Sequence, residues 1–116
     1  MPTMPRKRLR DICLRLPRAI EKETWGDPTY RVNDRIFAME KRGDGRISVW
    51  CKSTFDTRDM LLLSAPHQFF IPPYVGSKGW IGMRLDNEPD WREVESIVEQ
   101  SYRLIAPKKL SRQIDS

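Results

Sequence analysis

Two turn signals on either side of one short segment do most to constrain how this chain folds. Asn33-Asp34 and Gly43-Asp44-Gly45 bracket residues 35–41, and the flanking stretches carry β-branched and aromatic side chains. Asn, Asp and Gly tolerate positive φ, which is what a tight hairpin turn requires. Connections this short join only antiparallel neighbours. Residues 29–32, 35–41 and 46–52 are therefore expected as a three-strand antiparallel meander.

Helical spacing appears on either side of the meander. Leu9, Ile12, Cys13 and Leu16 fall at i, i+3, i+4 and i+7, predicting a helix over 6–16 that Pro17 stops. Residues 19–25 read as extended, before a turn at Gly26-Asp27-Pro28. A second helix is expected over 57–65, capped by Asp56 and ended by Pro66. Phe69, Phe70 and Ile71 form a short apolar strand. A proline- and glycine-rich loop follows from Pro72 to Gly79, and then a strand over 80–86. The last helix opens at Asp90 and Glu93 with capping-box spacing. Trp91, Val94, Ile97, Val98 and Ile105 line its inner face, Tyr102 joins Val98, and Pro107 closes it. Residues 108–116 read as a polar, mobile tail.

This order, α-β3-α-β2-α, predicts one α+β domain over 1–116 with its core at about 6–107. The architecture is a two-layer sandwich, an antiparallel sheet of five or six strands with helices packed on one face. The other face is left less covered.

The 116 residues are 39% hydrophobic and 32% charged, a globular rather than a disordered balance. No apolar run approaches the roughly 20 residues of a membrane span, and no signal-peptide pattern follows the basic N-terminus. A cytoplasmic location, away from any membrane, is the expectation. Cys13 and Cys51 sit at apolar positions and read as buried reduced thiols. A single disulfide between them is the alternative.

The net charge of +5 is unevenly placed. Residues 1–20 carry +5 and residues 107–116 carry +2, whereas 21–106 carry −2. Basic ends can gather phosphates or simply solubilise the chain.

No catalytic unit is expected. His67 is the only histidine and sits in a loop with no nucleophile beside it in sequence. Cysteines and carboxylates show no metal-ligand spacing, so neither a metal nor another cofactor is expected. Gly76-Ser77-Lys78-Gly79 is too short for a phosphate loop. Glu21 and Glu23 alternate on an extended stretch, where such pairs are usually solvated.

Strand alternation instead points to a surface. If Ile47, Val49 and Cys51 face the helices, Trp50 faces outward with Arg46, Ser48 and Lys52. The same logic on 80–86 sends Trp80 and Arg84 outward, opposite Ile81, Met83 and Leu85. On 35–41 it sends Ile36 and Ala38 inward, and Arg35, Phe37, Met39 and Lys41 outward. The open face would then combine Phe37, Met39, Trp50 and Trp80 with Arg35, Lys41, Arg46, Lys52 and Arg84. Such faces stack bases and neutralise phosphates, or serve protein interfaces. The alternative is that loop 66–79 or a terminus covers these residues.

The order of several short motifs resembles the MmcQ/YjbR family over about residues 6–110. They are Leu16-Pro17, Trp25-Gly26-Asp27-Pro28-Thr29-Tyr30-Arg31-Val32 and Arg35-Ile36-Phe37-Ala38. Further on come Pro73-Tyr74-Val75-Gly76, Lys78-Gly79-Trp80-Ile81, Arg84-Leu85, Asp90-Trp91 and Ser101-Tyr102. The resemblance implies a secretion-chaperone-like fold and DNA binding through a double-wing motif, and it brings no catalytic residues. The wings would be the hairpins at Asn33-Asp34 and Gly43-Asp44-Gly45, with the stretch Lys78 to Arg84. Many relatives have a longer polar segment where this chain has Val75-Gly76-Ser77, so that segment's contacts are not carried over. DNA is the leading expected partner. The alternatives are a protein-interaction module or homodimer using the same face, or a small-molecule pocket near Tyr74.

Overall fold

In the computed structural model, which describes residues 4–42 and 45–115, Asn33 and Asp34 both adopt positive φ, 49° and 62°. They close the hairpin between β2 (Asp27–Val32) and β3 (Arg35–Lys41). Gly43 and Asp44 of the second expected turn lie outside the described residues. Gly45 N–H donates to the Arg42 carbonyl at 3.1 Å, and the chain continues into β4 (Ser48–Lys52).

The extended stretch before the meander is itself a strand, β1 (Ile20–Thr24), pairing with β2 across a turn at Trp25-Gly26. Its side chains are mostly exposed, and Glu21, Lys22 and Glu23 put charge on this edge. Charged edges discourage pairing with another chain. Beyond β4, β5 (Phe69–Phe70) and β6 (Trp80–Arg84) complete six antiparallel strands in the order β1-β2-β3-β4-β6-β5.

One helical layer packs on this sheet. α3 (Trp91–Ile105) lies across β3 and β4, and α1 (Met4–Leu14) packs against α3. The Asp90 carboxylate caps α3 by accepting from Arg92 N–H at 3.0 Å. Between the layers lie Leu9 and Cys13 of α1, Tyr30, Val49, Cys51, Ile81 and Met83 of the sheet, and Val94, Val98 and Tyr102 of α3. α2 (Phe55–Ser64) adjoins β5 and β6, with no fully buried residue. Its N-cap is Thr54, which accepts from Thr57 N–H at 3.1 Å, rather than Asp56. The helix begins at Phe55, so Asp56 falls in its first turn, where a negative charge still complements the dipole.

β3 departs from simple alternation. Arg31 pairs with Ile36 and Tyr30 with Ala38, so Phe37 is an extra residue without a ladder partner. Such a bulge shifts the parity of the strand. Phe37 therefore faces the helices, not the open side: it is fully buried and meets Tyr102 edge-on, with ring centroids 5.3 Å apart. Arg35 moves with it and donates to the Ile105 carbonyl at the end of α3, at 3.4 Å. The Phe37 carbonyl accepts from Ser101 Oγ at 2.6 Å, and Ser101 Oγ accepts from Lys52 N–H at 2.8 Å. One buried hydroxyl thus ties α3 to two strands.

The expected mobile tail is a helix, α4 (Lys108–Ile114). Leu110 is buried, Ile114 packs against the core, and Arg103 holds Asp115 at 2.7 Å. Leu110 and Ile114 stand at i, i+4, enough apolar spacing to dock a short helix despite its polar composition.

Three cations of the basic N-terminus are paired. Arg6 Nε sits 2.9 Å from the buried Glu40 carboxylate, Arg10 lies 2.6 Å from Glu21, and Lys7 lies 3.5 Å from Asp11. These cations complement carboxylates of the sheet and of their own helix.

Candidate functional site

Strand register defines the open face. Thr29, Met39, Trp50, Gly82 and Phe70 are successive ladder partners, forming one row across five strands. Lys41, Ser48 and Arg84 form the adjacent row, and Lys52 pairs with Trp80 on the other side. Gly82 is the gap in the central row. A Cβ built there would clash with the Phe70 ring, so Phe70 lies directly against the strand at Gly82. Glycine in a strand commonly marks such a close approach.

Trp50 and Phe70 line a groove of about 510 Å³, within the size range of small-ligand sites. Asp27 and Lys41 stand at one side, Arg46 and Ser48 at the turn end, and Ile71 and Pro73 on the loop side. Lys41 Nζ lies 5.3 Å from the centroid of the Trp50 ring and 3.5 Å from the Asp27 carboxylate. The Arg46 guanidinium lies 5.1 Å over Phe70. Each cation over an aromatic face contributes roughly 0.5–1 kcal/mol when exposed, more when desolvated. The Trp50 indole N–H is buried and has no acceptor among the described residues.

The expected site residues separate into groups. Lys41, Arg46 and Trp50 converge on the groove. Arg84 lies one row away and is held by Asp86 at 3.3 Å. Lys52 shares the face beyond Trp50. Trp80 points to this face by its register with Lys52 but is only 8% exposed, so it adds little open surface. Ile71 and Pro73 of the 66–79 segment lie instead at the groove beside Trp50. Lys78 is exposed at the end of that turn, Arg35 and Phe37 are on the helix side, and Tyr74 projects from the surface at 92% exposure.

Asp27, Phe70, Ile71 and Pro73 were not legible as site residues. Asp27 needed the β2–β3 register, which brings it beside Lys41. Phe70 had one usable signal, the glycine at position 82 within an otherwise bulky strand.

The successive turns of a meander alternate between the ends of the sheet. The Asn33-Asp34 turn is therefore at the opposite end from the β3–β4 connection. The turn that shares an end with β3–β4 is Trp25-Gly26. There Trp25 is 95% exposed and holds a positive φ of 55°. That backbone costs a bulky side chain about 1 kcal/mol or more.

Both cysteines are free and buried on the helix side. Burial pushes the Cys51 thiol up to about 12. Burial, with smaller contributions from Cys51 and Glu21, raises Cys13 well above its ordinary value. Among the described residues, no three His, Cys, Asp or Glu side chains are placed to hold a metal ion. No helix of the described residues is long and apolar enough to cross a membrane.

In fold, the chain is similar to the crystal structure of Deinococcus radiodurans protein DR2400, of the domain family DUF419. The TM-score is 0.80 at 17% identity, covering 99% of this chain and 91% of that one. No curated protein matches the sequence. The YjbR family model matches residues 14–104, from the end of α1 to the last turn of α3. The sheet, the bulge with its Ser101 tie and the open-face groove all lie within that span, and the chain belongs to the YjbR family.

Proposed function

We propose that this chain is a non-catalytic nucleic-acid-binding protein that holds single-stranded DNA or RNA on its open sheet face. The observation that carries the reading is the groove itself, where Trp50 and Phe70 lie under the cations of Lys41 and Arg46. A base has a flat face for the rings and a phosphate for the cations, and stacking of this kind contributes about 1–3 kcal/mol per base. The buried indole N–H of Trp50 adds a donor that a base carbonyl would satisfy if the groove rearranged around it. A single strand suits a recessed groove better than a duplex does, since its bases are free to enter. Lys52 and Arg84, on the same face, would neutralise phosphates on either side.

The test is fluorescence anisotropy with labelled oligonucleotides across a salt series. Log affinity is expected to fall linearly with log salt, and Trp50→Ala is expected to weaken binding about tenfold. Absence of binding to any single strand at low salt would refute the reading. The competing use of this face for self-association predicts an oligomer by sedimentation that Trp50→Ala dissociates.

A further inference from the structure

Resting on that nucleic-acid reading, we propose that Trp25, at the tip of the β1–β2 hairpin, is a second stacking platform for the same strand. Of the four tryptophans, Trp50, Trp80 and Trp91 are buried or half-buried, and Trp25 alone is almost wholly exposed. It occupies the first of two positive-φ turn positions, followed by Gly26 at φ 85°. Asn, Asp or Gly would sit there without strain. A large ring that is strained in its backbone and almost without burial gains little inside this chain, so its gain is sought in a ligand.

The position of the hairpin connects it to the groove. Thr24 pairs with Asp27 across the turn, and Asp27 lines the groove beside Lys41. The Trp50 row reaches β2 at Thr29, two strands away and four residues beyond Trp25. Strand spacing and rise place the hairpin tip about 14 Å from Trp50. Lys22 on β1 and Lys41 on β3 flank that path with positive charge, Lys41 being partly offset by its ion pair with Asp27, and a phosphate backbone would complement them. An oligonucleotide that only fills the groove stops short of Trp25, whereas a longer one runs over the tip.

Length dependence tests the arrangement. Anisotropy would be measured with labelled oligothymidylates of about three and about twelve nucleotides, for wild type, Trp25→Asn, Trp25→Phe and Trp50→Ala. Asn keeps the left-handed turn, and a thermal melt checks that the variants fold. Trp25→Asn is expected to weaken the long oligomer about tenfold, leave the short one unchanged and be largely rescued by Trp25→Phe. Trp50→Ala is expected to weaken both. Long-oligomer affinity unchanged in Trp25→Asn, with Trp50→Ala impaired, overturns the second platform and leaves the groove reading standing. Equal losses for both lengths in Trp25→Asn also overturn it, because Trp25 would then act within the groove. Failure of wild type to bind either oligomer overturns both the groove reading and the platform.

Discussion

Ser101 is small, polar and fully buried, and its hydroxyl joins three elements. It gives its proton to the Phe37 carbonyl and takes one from Lys52 N–H, bridging β3 and β4 just past the Ala38–Cys51 pair where their ladder ends. An unsatisfied buried backbone group costs about 1–3 kcal/mol. Ser101→Ala orphans both, so it is expected to lower unfolding free energy by about 2–4 kcal/mol in urea denaturation. A loss under about 0.5 kcal/mol would mean the two strands find other partners. The Ser101-Tyr102 pair was legible as part of a family pattern, but its job was not. That job depends on a carbonyl 64 residues earlier, and no local spacing reports such a partner. Tyr102 has the same character, since its hydroxyl donates to the Pro17 carbonyl at 2.6 Å while its ring braces Phe37.

Elements defined by their own local chemistry matched the structure. The Asn33-Asp34 hairpin, the Asp90 cap of α3 and the alternation in β4 and β6 are set by residues within a few positions of each other. β3 and α4 were misread because their surroundings decide them. Alternation along β3 breaks at the bulge, and the bulge is registered against β2. The polar composition of α4 hides the two side chains that dock it. Leu110→Ala removes the buried one and is expected to cost about 2 kcal/mol or more in unfolding free energy. It should also raise amide exchange in 108–114 relative to α3. If Leu110→Ala matches wild type in both, α4 does not contribute to the core. The groove shows the same division: Lys41, Arg46 and Trp50 came from strand alternation, whereas Asp27 and Phe70 came from cross-strand pairing.

At the level of the whole fold, several buried acids give stability a definite pH dependence. Cys51, Cys13 and Tyr30 all have their proton affinity raised, chiefly by burial, which disfavours the thiolate and phenolate. In the unfolded chain a thiol ionises near about 8.5 and a phenol near about 10. The sign follows from linkage. Their contribution is complete below about pH 8.5 and is lost as pH rises toward the folded values, because the unfolded chain releases protons first. The midpoint of thermal unfolding is therefore expected to fall steadily above about pH 9. A Cys13→Ala, Cys51→Ala variant is expected to show a flatter profile between about pH 8.5 and 10. Parallel profiles for the two proteins would refute the assignment to the thiols.

The bulge in β3 also bears on how this chain can change over evolutionary time. Arg35 and Phe37 face one layer, and Met39 and Lys41 face the other, because one unpaired residue lies between the two halves of the strand. A one-residue deletion in that stretch would straighten the ladder and exchange the sides of everything before it. Phe37 would leave Tyr102, and Arg35 would leave the end of α3. A change of length inside the strand would therefore disturb both layers at once, whereas one in a turn at the sheet ends would leave the facing of the strands intact. The stretch that holds the two layers together is thus the part of the sheet least tolerant of a one-residue change in length.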